Sequence, residues 1–371
     1  MPDRRSSPTP EPRSLSARAE DSALIAGELL RHGVATIHLP KDVVLAGSDD
    51  AERPVGFVGA LHHGTSLVSV SLANNRRSTD VALRSAGISQ LPLRMFSLSS
   101  TEAMRRYAQQ VGFPVVVRPV TRDHREPAIV PLKNEPELTE AIETLTRRRS
   151  PPRRVVVSQY PRGRHYWALL ARNTIVAWAE STGWGDPTPS RSGRGSGDRL
   201  PTEVERLALT SAAAIPGLGM ATIDIVETRS GILRRSKRHH VVEIDAEPSL
   251  TRMEVAVAPE LLARRLVQAE LDHAGVSADA PTDQRGFEVT CEDLTNLGQV
   301  PSELAEIARE AGLATTDIVV DQGRRAATLQ VEGECTKVAR LAVLLARRGM
   351  ASTPVPRVRC VPVAAARTRA L

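Results

Sequence analysis

After a polar opening stretch, "SALIAGELLRHG" spaces its apolar residues for one face of a helix, with Ser22 placed to cap it and Gly33 to stop it. "VATIHL" and "VGFVGAL" then read as short strands on either side of a polar stretch from Ala46 to Arg53. The spacing predicts one helix from Ser66 to Ser85, ended by Gly87, and another over "MRRYAQQVG", ended by Gly112. "FPVVVRPV" is an apolar β-branched strand, and "ELTEAIETLTRRR" returns to helical spacing. "RVVVSQYP" and "YWALLARNTIVAWAE" are strands, followed by a stretch without periodicity at 183–199, "GWGDPTPSRSGRGSGDR", which reads as a mobile loop. Beyond the helix "PTEVERLALTSAAAIP" lie two strands, "MATIDIVET" and "HHVVEIDAE", separated by a basic turn from Arg234 to His240. The helix "APELLARRLVQAELDHAG" and the linker-like "VSADAPTDQRG" close this region.

The remaining residues alternate β-α-β-β-α-β, the order of the ferredoxin-like split βαβ unit. The pattern therefore predicts an α+β protein in five parts. These are a disordered leader (1–22), a small α/β lead-in (23–60), a body (61–275), a linker (276–283) and a ferredoxin-like domain (284–365).

Composition narrows the classes. A chain of 371 residues with 41% hydrophobic content has ample material for two or three cores. No apolar run reaches ~18 residues, so the sequence predicts no membrane span. The opening residues lack the apolar region of a signal peptide. Three cysteines without CxxC spacing (Cys291, Cys335 and Cys360) argue for a reducing, cytoplasmic setting. The net charge of +6 is made almost wholly with arginine, since the lysines are only Lys41, Lys133, Lys237 and Lys337. Acids are interspersed with the arginines and aromatics make up only 3%, which argues against nucleic acid as a partner. The densest basic run, "RRRSPPRR" at 147–154, reads as a solvated loop.

Common chemical motifs are absent: there is no Walker loop, no GxGxxG after a strand, no HExxH and no GxSxG. "GRGSGD" at 193–198 has no strand leading into it, and the pairs His62-His63 and His239-His240 read as surface histidines. The carboxylates are more informative. In "VVEIDAEPSL", Glu243 and Asp245 are two apart on a strand and so share a face, where their charges repel without a positive partner. Asp224, in "TIDIV", lies on the preceding strand and converges with them if the two strands pair. Such a set of hard oxygens suits Mg²⁺. An acidic strand edge, or ion pairs to the basic turn, would use the same residues.

Four segments in order resemble the ATP-grasp superfamily, in particular its cyanophycin synthetase-like carboxylate–amine ligases. "TSLVSVSLANNRRSTDVALRSAGIS" resembles the entry to their central domain, and "VGFPVVVRPV" resembles their "GyPvVvKP" strand. "VVVSQYPRGRHYWALLARNTIVA" resembles the hinge on which adenine rests, and "GLGMATIDIV" with "VVEIDAEPSL" resembles the metal-binding pair. The resemblance implies an ATP-grasp fold. It also implies an ATP- and Mg²⁺-dependent ligase working through an acyl phosphate, on a small-molecule or peptide carboxylate and an amine acceptor.

By the same resemblance, Asp224, Glu243 and Asp245 hold the metal. Arg76 and Arg118 stand where the family has nucleotide-gripping lysines, and Ser158, Gln159 and Tyr160 form the hinge. His165 takes the place of a ribose-binding acid, and Trp167 that of an arginine. No catalytic side chain is indicated. The departures are the lost acid and the absence of glycine from "VTRDHREPAIV", where the family has a glycine-rich loop. They raise an alternative, a degenerate ATP-grasp protein that binds a partner without turnover. The sequence leaves the role of the last domain undecided between substrate contacts, regulation and a homo-oligomer interface.

Overall fold

The computed structural model describes residues 15–47, 55–121, 131–182, 189–193, 200–230, 236–251, 257–276 and 279–363. The protein is mixed α+β with antiparallel sheets and divides into two compact units, Met1–Ala60 with Ser277–Leu371, and Leu61–Val276.

The first unit starts with α1 (Ala17–Arg31) and the strands β1 (Thr36–Leu39), β2 (Val43–Ala46) and β3 (Val55–Val58). The second runs through β4 (Leu61–His62), α2 (Leu67–Ala73), α3 (Arg76–Ser85), β5 (Leu93–Ser97), α4 (Thr101–Val111) and β6 (Val115–Pro119). It continues with α5 (Glu135–Thr146), β7 (Arg154–Gln159), β8 (Arg164–Ala171), β9 (Thr174–Ser181) and β10 (Pro189–Gly193). It ends with α6 (Thr202–Ala213), β11 (Met220–Ser230), β12 (Ser236–Asp245) and α7 (Pro259–Ala274). The first unit then resumes with β13 (Gln284–Glu292), α8 (Val300–Glu310), β14 (Ala314–Asp321), β15 (Ala326–Glu334), α9 (Cys335–Arg348) and β16 (Arg357–Val363).

In the first unit the strands lie in the order β14-β15-β13-β16-β1-β2-β3. The lead-in and the C-terminal strands are therefore one sheet rather than two domains, joined where Thr36 pairs with Cys360. Left alone, β16 would be an open edge, and β1 supplies its missing hydrogen bonds. On one side α1 packs against α9, with Ala19 and Ala23 on Val343. That packing corrects the expected helix start and the end of the leader. Helix α1 begins at Ala17 behind Ser16, whose Oγ accepts from the Ala19 amide. Ser22 is a buried interior residue, donating to the Asp42 carbonyl (2.8 Å) and accepting from the Gly59 amide (3.0 Å). The leader's residues 1–14 lie outside the described residues.

The second unit holds two antiparallel sheets, β5-β7-β6 and β10-β9-β8-β11-β12. Helices α4 and α5 close the smaller sheet around Met104, Leu138, Val115 and Val155. Helix α6 covers the larger one, with Val204 and Ala208 packed on Tyr166, Trp178 and Ile223. The chain passes between the sheets at 160–163 through Gly163, at φ +157°, where a Cβ would run into the Glu227 carbonyl.

Three local expectations change. The helix expected over 66–85 is two, because Asn75 turns out of α2 and caps α3, its side chain accepting from the Arg77 and Ser78 amides. "YWALLARNTIVAWAE" folds into the hairpin β8–β9, with Arg172 and Asn173 both at positive φ, as a tight hairpin turn requires. The expected loop at 183–199 contains β10, which extends the sheet along β9. Its "GRGSGD" from residue 194 onward, and residues 122–130 of "VTRDHREPAIV", lie outside the described residues. No helix among the described residues is long and apolar enough to cross a membrane.

Candidate active site

Strands β11 and β12 pair antiparallel, setting Asp224 directly opposite Glu243 and Thr222 opposite Asp245. On its other side β11 pairs with β8, with Asp224 opposite Trp167 and Val226 opposite His165. Cross-strand partners point to the same face, so the three carboxylates and His165 line one face of the sheet. Like charges placed directly opposite destabilise a sheet, and these need a counter-charge.

Arginine supplies it. Arg118, on β6, donates from Nη1 to Glu243 Oε2 at 2.9 Å. Arg76, the first residue of α3, donates from Nη2 to Glu243 Oε1 at 3.2 Å and from Nη1 to the Pro119 carbonyl at 2.7 Å. The side chains of all three are only 10–11% exposed, and both oxygens of Glu243 are engaged. Each arginine is fixed by its backbone. Arg118 pairs in register with Val156 of β7, and Arg76 is placed by the Asn75 cap and by its amide bond to the Val120 carbonyl at 3.0 Å. Breaking such a buried pair from one side costs ~3–5 kcal/mol.

The other carboxylates have distinct settings. Asp245 Oδ1 accepts from the Glu247 amide at 2.9 Å, closing the turn that leaves β12, and Glu247 takes a 2.9 Å bond from Asn74. Asp224 Oδ2 lies 3.9 Å from His165 Nε2. Burial strips the His165 ring of hydration and lowers its pKa to about 4, against the pull of Glu243, so the ring is neutral at pH 7. His165 Nδ1 sits 3.3 Å from Ser181 Oγ.

The structure thus brings together Arg76, Arg118 and Glu243, with Ser158 and Gln159, around one pocket of about 40 Å³ whose walls include Leu83, Leu91 and Val241. Tyr160 and His165 are not among its lining residues; Tyr160 donates its amide to the Pro114 carbonyl at 3.0 Å. Sequence reasoning passed over Asn75, Asn74 and Ser181. Only Asn75 left a signal, an Asn just ahead of "RRST".

Two histidines are not at the surface as expected. His62 is buried, with Nε2 3.5 Å from Glu270 Oε1, and the His239 side chain is nine-tenths buried, with Nε2 3.5 Å from Glu227 Oε2. Adjacent residues do point apart, but in each pair one direction leads inward, to an acid.

No protein-family model matches the chain, and no curated protein matches it. Solved structures similar to it include ATP-grasp proteins and D-alanine–D-alanine ligases. A D-alanine–D-alanine ligase from Bacillus anthracis is 14% identical, with 57% of this chain and 70% of that one covered and a TM-score of 0.43. One from Coxiella burnetii is 20% identical, covering 57% of this chain and 61% of that chain at a TM-score of 0.40. An ATP-grasp RimK domain protein from Sphaerobacter thermophilus is 19% identical, covering 54% and 68% at a TM-score of 0.39.

Proposed function

We propose that Leu61–Val276 is an ATP-grasp-type body and that the protein is an ATP-dependent carboxylate–amine ligase. In that reaction class a substrate carboxylate takes the γ-phosphoryl group as an acyl phosphate, and an amine then displaces phosphate. One observation carries the reading. Arg76 from α3 and Arg118 from β6 meet on Glu243 of β12, with Asp224 directly opposite on β11. Guanidiniums of this kind bind phosphate oxygens through paired N–H groups.

The oxygens of Asp224, Glu243 and Asp245 on one face suit Mg²⁺, which supplies charge neutralisation at a transferring phosphoryl group. Asp224, Glu243 and Asp245 would hold that ion, and Arg76 and Arg118 would supply N–H groups to phosphate oxygens. The four C-terminal strands, in the order β14-β15-β13-β16 with α8 and α9, we read as a ferredoxin-like unit extended by β1–β3.

A second reading, a binding or regulatory protein on the same fold, has its own observation. Both Glu243 oxygens are already held by the arginines that would otherwise meet phosphate.

Thermal denaturation with and without ATP and Mg²⁺ decides between them. A ligand that binds only the native state stabilises it by ~2.7 kcal/mol at a hundredfold excess over Kd. A clear rise in melting temperature, with ADP formed once an acid and an amine are supplied, is the expected outcome. No rise and no ADP assigns the second reading.

A further inference from the structure

Two histidine clusters in the second unit place donor atoms near one another. In the first, donors of His62, His63 and Glu270 lie within 4.8 Å of one another. Glu270, however, takes bonds from Arg172 on both oxygens, at 3.2 and 3.0 Å, so a cation would meet a guanidinium. The Gly64 amide also donates to His62 Nδ1 at 3.0 Å, which leaves the neutral ring's proton on Nε2, facing Glu270. That cluster is a closed packing joint.

In the second cluster the other ring nitrogen faces a hydroxyl rather than a backbone donor. His165 is 8% exposed, and its Nε2 has no hydrogen-bond partner among the described residues. Nε2 nevertheless faces Asp224 Oδ2 across 3.9 Å. A buried ring nitrogen without a partner is costly, and a cation between the two groups would use it. Ser181 Oγ, at 3.3 Å, can accept from Nδ1–H, the bond that keeps the Nε2 lone pair pointed at a metal. Ligands ~2.1 Å from one tetrahedral ion lie ~3.4 Å apart, so a side-chain shift of about half an ångström closes the pair. Glu243 can stay with its arginines meanwhile.

We infer that His165 Nε2 and Asp224 form a mixed nitrogen–oxygen site for a first-row transition ion such as Mn²⁺, Co²⁺ or Zn²⁺, its other positions filled by water or a ligand oxygen. Imidazole suits these ions, whereas Mg²⁺ prefers oxygen alone. The inference refines the cation of the proposed ligase site but requires no nucleotide.

The test titrates the full-length protein with Co²⁺, followed by its visible absorption, with Zn²⁺ and Mg²⁺ as competitors. Co²⁺ and Zn²⁺ should bind at least tenfold tighter than Mg²⁺. His165→Ala should lose at least tenfold in Co²⁺ affinity with Mg²⁺ affinity unchanged, and His63→Ala should change neither. The inference is overturned if Mg²⁺ binds as tightly as Co²⁺, if His165→Ala binds like wild type, or if His63→Ala abolishes the signal. Should His165→Ala not fold, ¹¹³Cd NMR of the wild type reports nitrogen ligation directly, and an oxygen-only shift overturns it. A melting shift with ATP and Mg²⁺, together with unchanged Co²⁺ binding in His165→Ala, sinks this inference and leaves the ligase reading. Co²⁺ binding without any ATP shift does the reverse.

Discussion

Glu243 is a carboxylate with two guanidiniums, and a double-mutant cycle reads that arrangement directly. Arg118→Met removes the 2.9 Å bond to Oε2 of a nearly buried acid and should destabilise the protein by ~3 kcal/mol, the low end for a broken buried pair. Glu243→Met added to Arg118→Met should deepen that loss, because it also takes the shared carboxylate from Arg76, whose side chain is only 10% exposed. Urea denaturation measures both, and a neutral Arg118→Met would show that the contact contributes nothing. The identity of these residues was legible in the sequence: "VVVRPV" puts an arginine in an apolar strand, where it needs an anion, and "VVEID" places two acids on one face. Which partner each takes was not legible, because Arg118 and Glu243 are 125 residues apart and meet only when two sheets are built.

Among the elements, strands and helices with strong periodicity were legible, as in "FPVVVRPV" and "ELTEAIETLTRRR". Those held by long-range pairing were not. "LRMFS" forms β5 on the strength of its hydrogen bonds to β7, and Pro189–Gly193 forms β10 along β9. The break between α2 and α3 has a local cause with a distant effect. Asn75 satisfies the first free amides of α3 and fixes where Arg76 starts. Asn75→Ala should cost ~1 kcal/mol as a lost cap, whereas Asn75→Ser or Asn75→Asp should retain most of the stability. Chemical denaturation of the three variants checks the order, and equal stabilities would mean that tertiary contacts alone hold the helix start.

At the scale of the molecule, each unit buries a neutral histidine. In the first, His38 is fully buried, bonded through Nε2 to Thr36 Oγ1 at 3.0 Å, and burial lowers its pKa to about 3. In the second, His165 stands at about 4. Unfolded histidine titrates near ~6.5. Between that value and the folded one the unfolded chain binds the extra proton, so stability rises with pH across the window and is lost as pH falls through it. Each group contributes a slope of ~1.4 kcal/mol per pH unit there. Urea midpoints at pH 7, 5.5 and 4.5 should fall accordingly, and His38→Leu should flatten the curve of the first unit by about one such slope. An unchanged slope would show that His38 is hydrated in solution.

The first unit is assembled from both ends of the chain, with β16 paired to β1 and α9 packed on α1. A ribosome delivers those ends far apart in time. At ~5–20 residues per second, the residues between Ala60 and Ser277 take on the order of 10–40 s to make. Throughout that interval the nascent α1 carries Ile25, Leu29 and Leu30 with no partner helix from the same unit. The second unit, contiguous in sequence, can complete its own core first. Translation order thus gives the protein a long exposed stage, in which a chaperone has a defined apolar segment to hold until the last strand emerges.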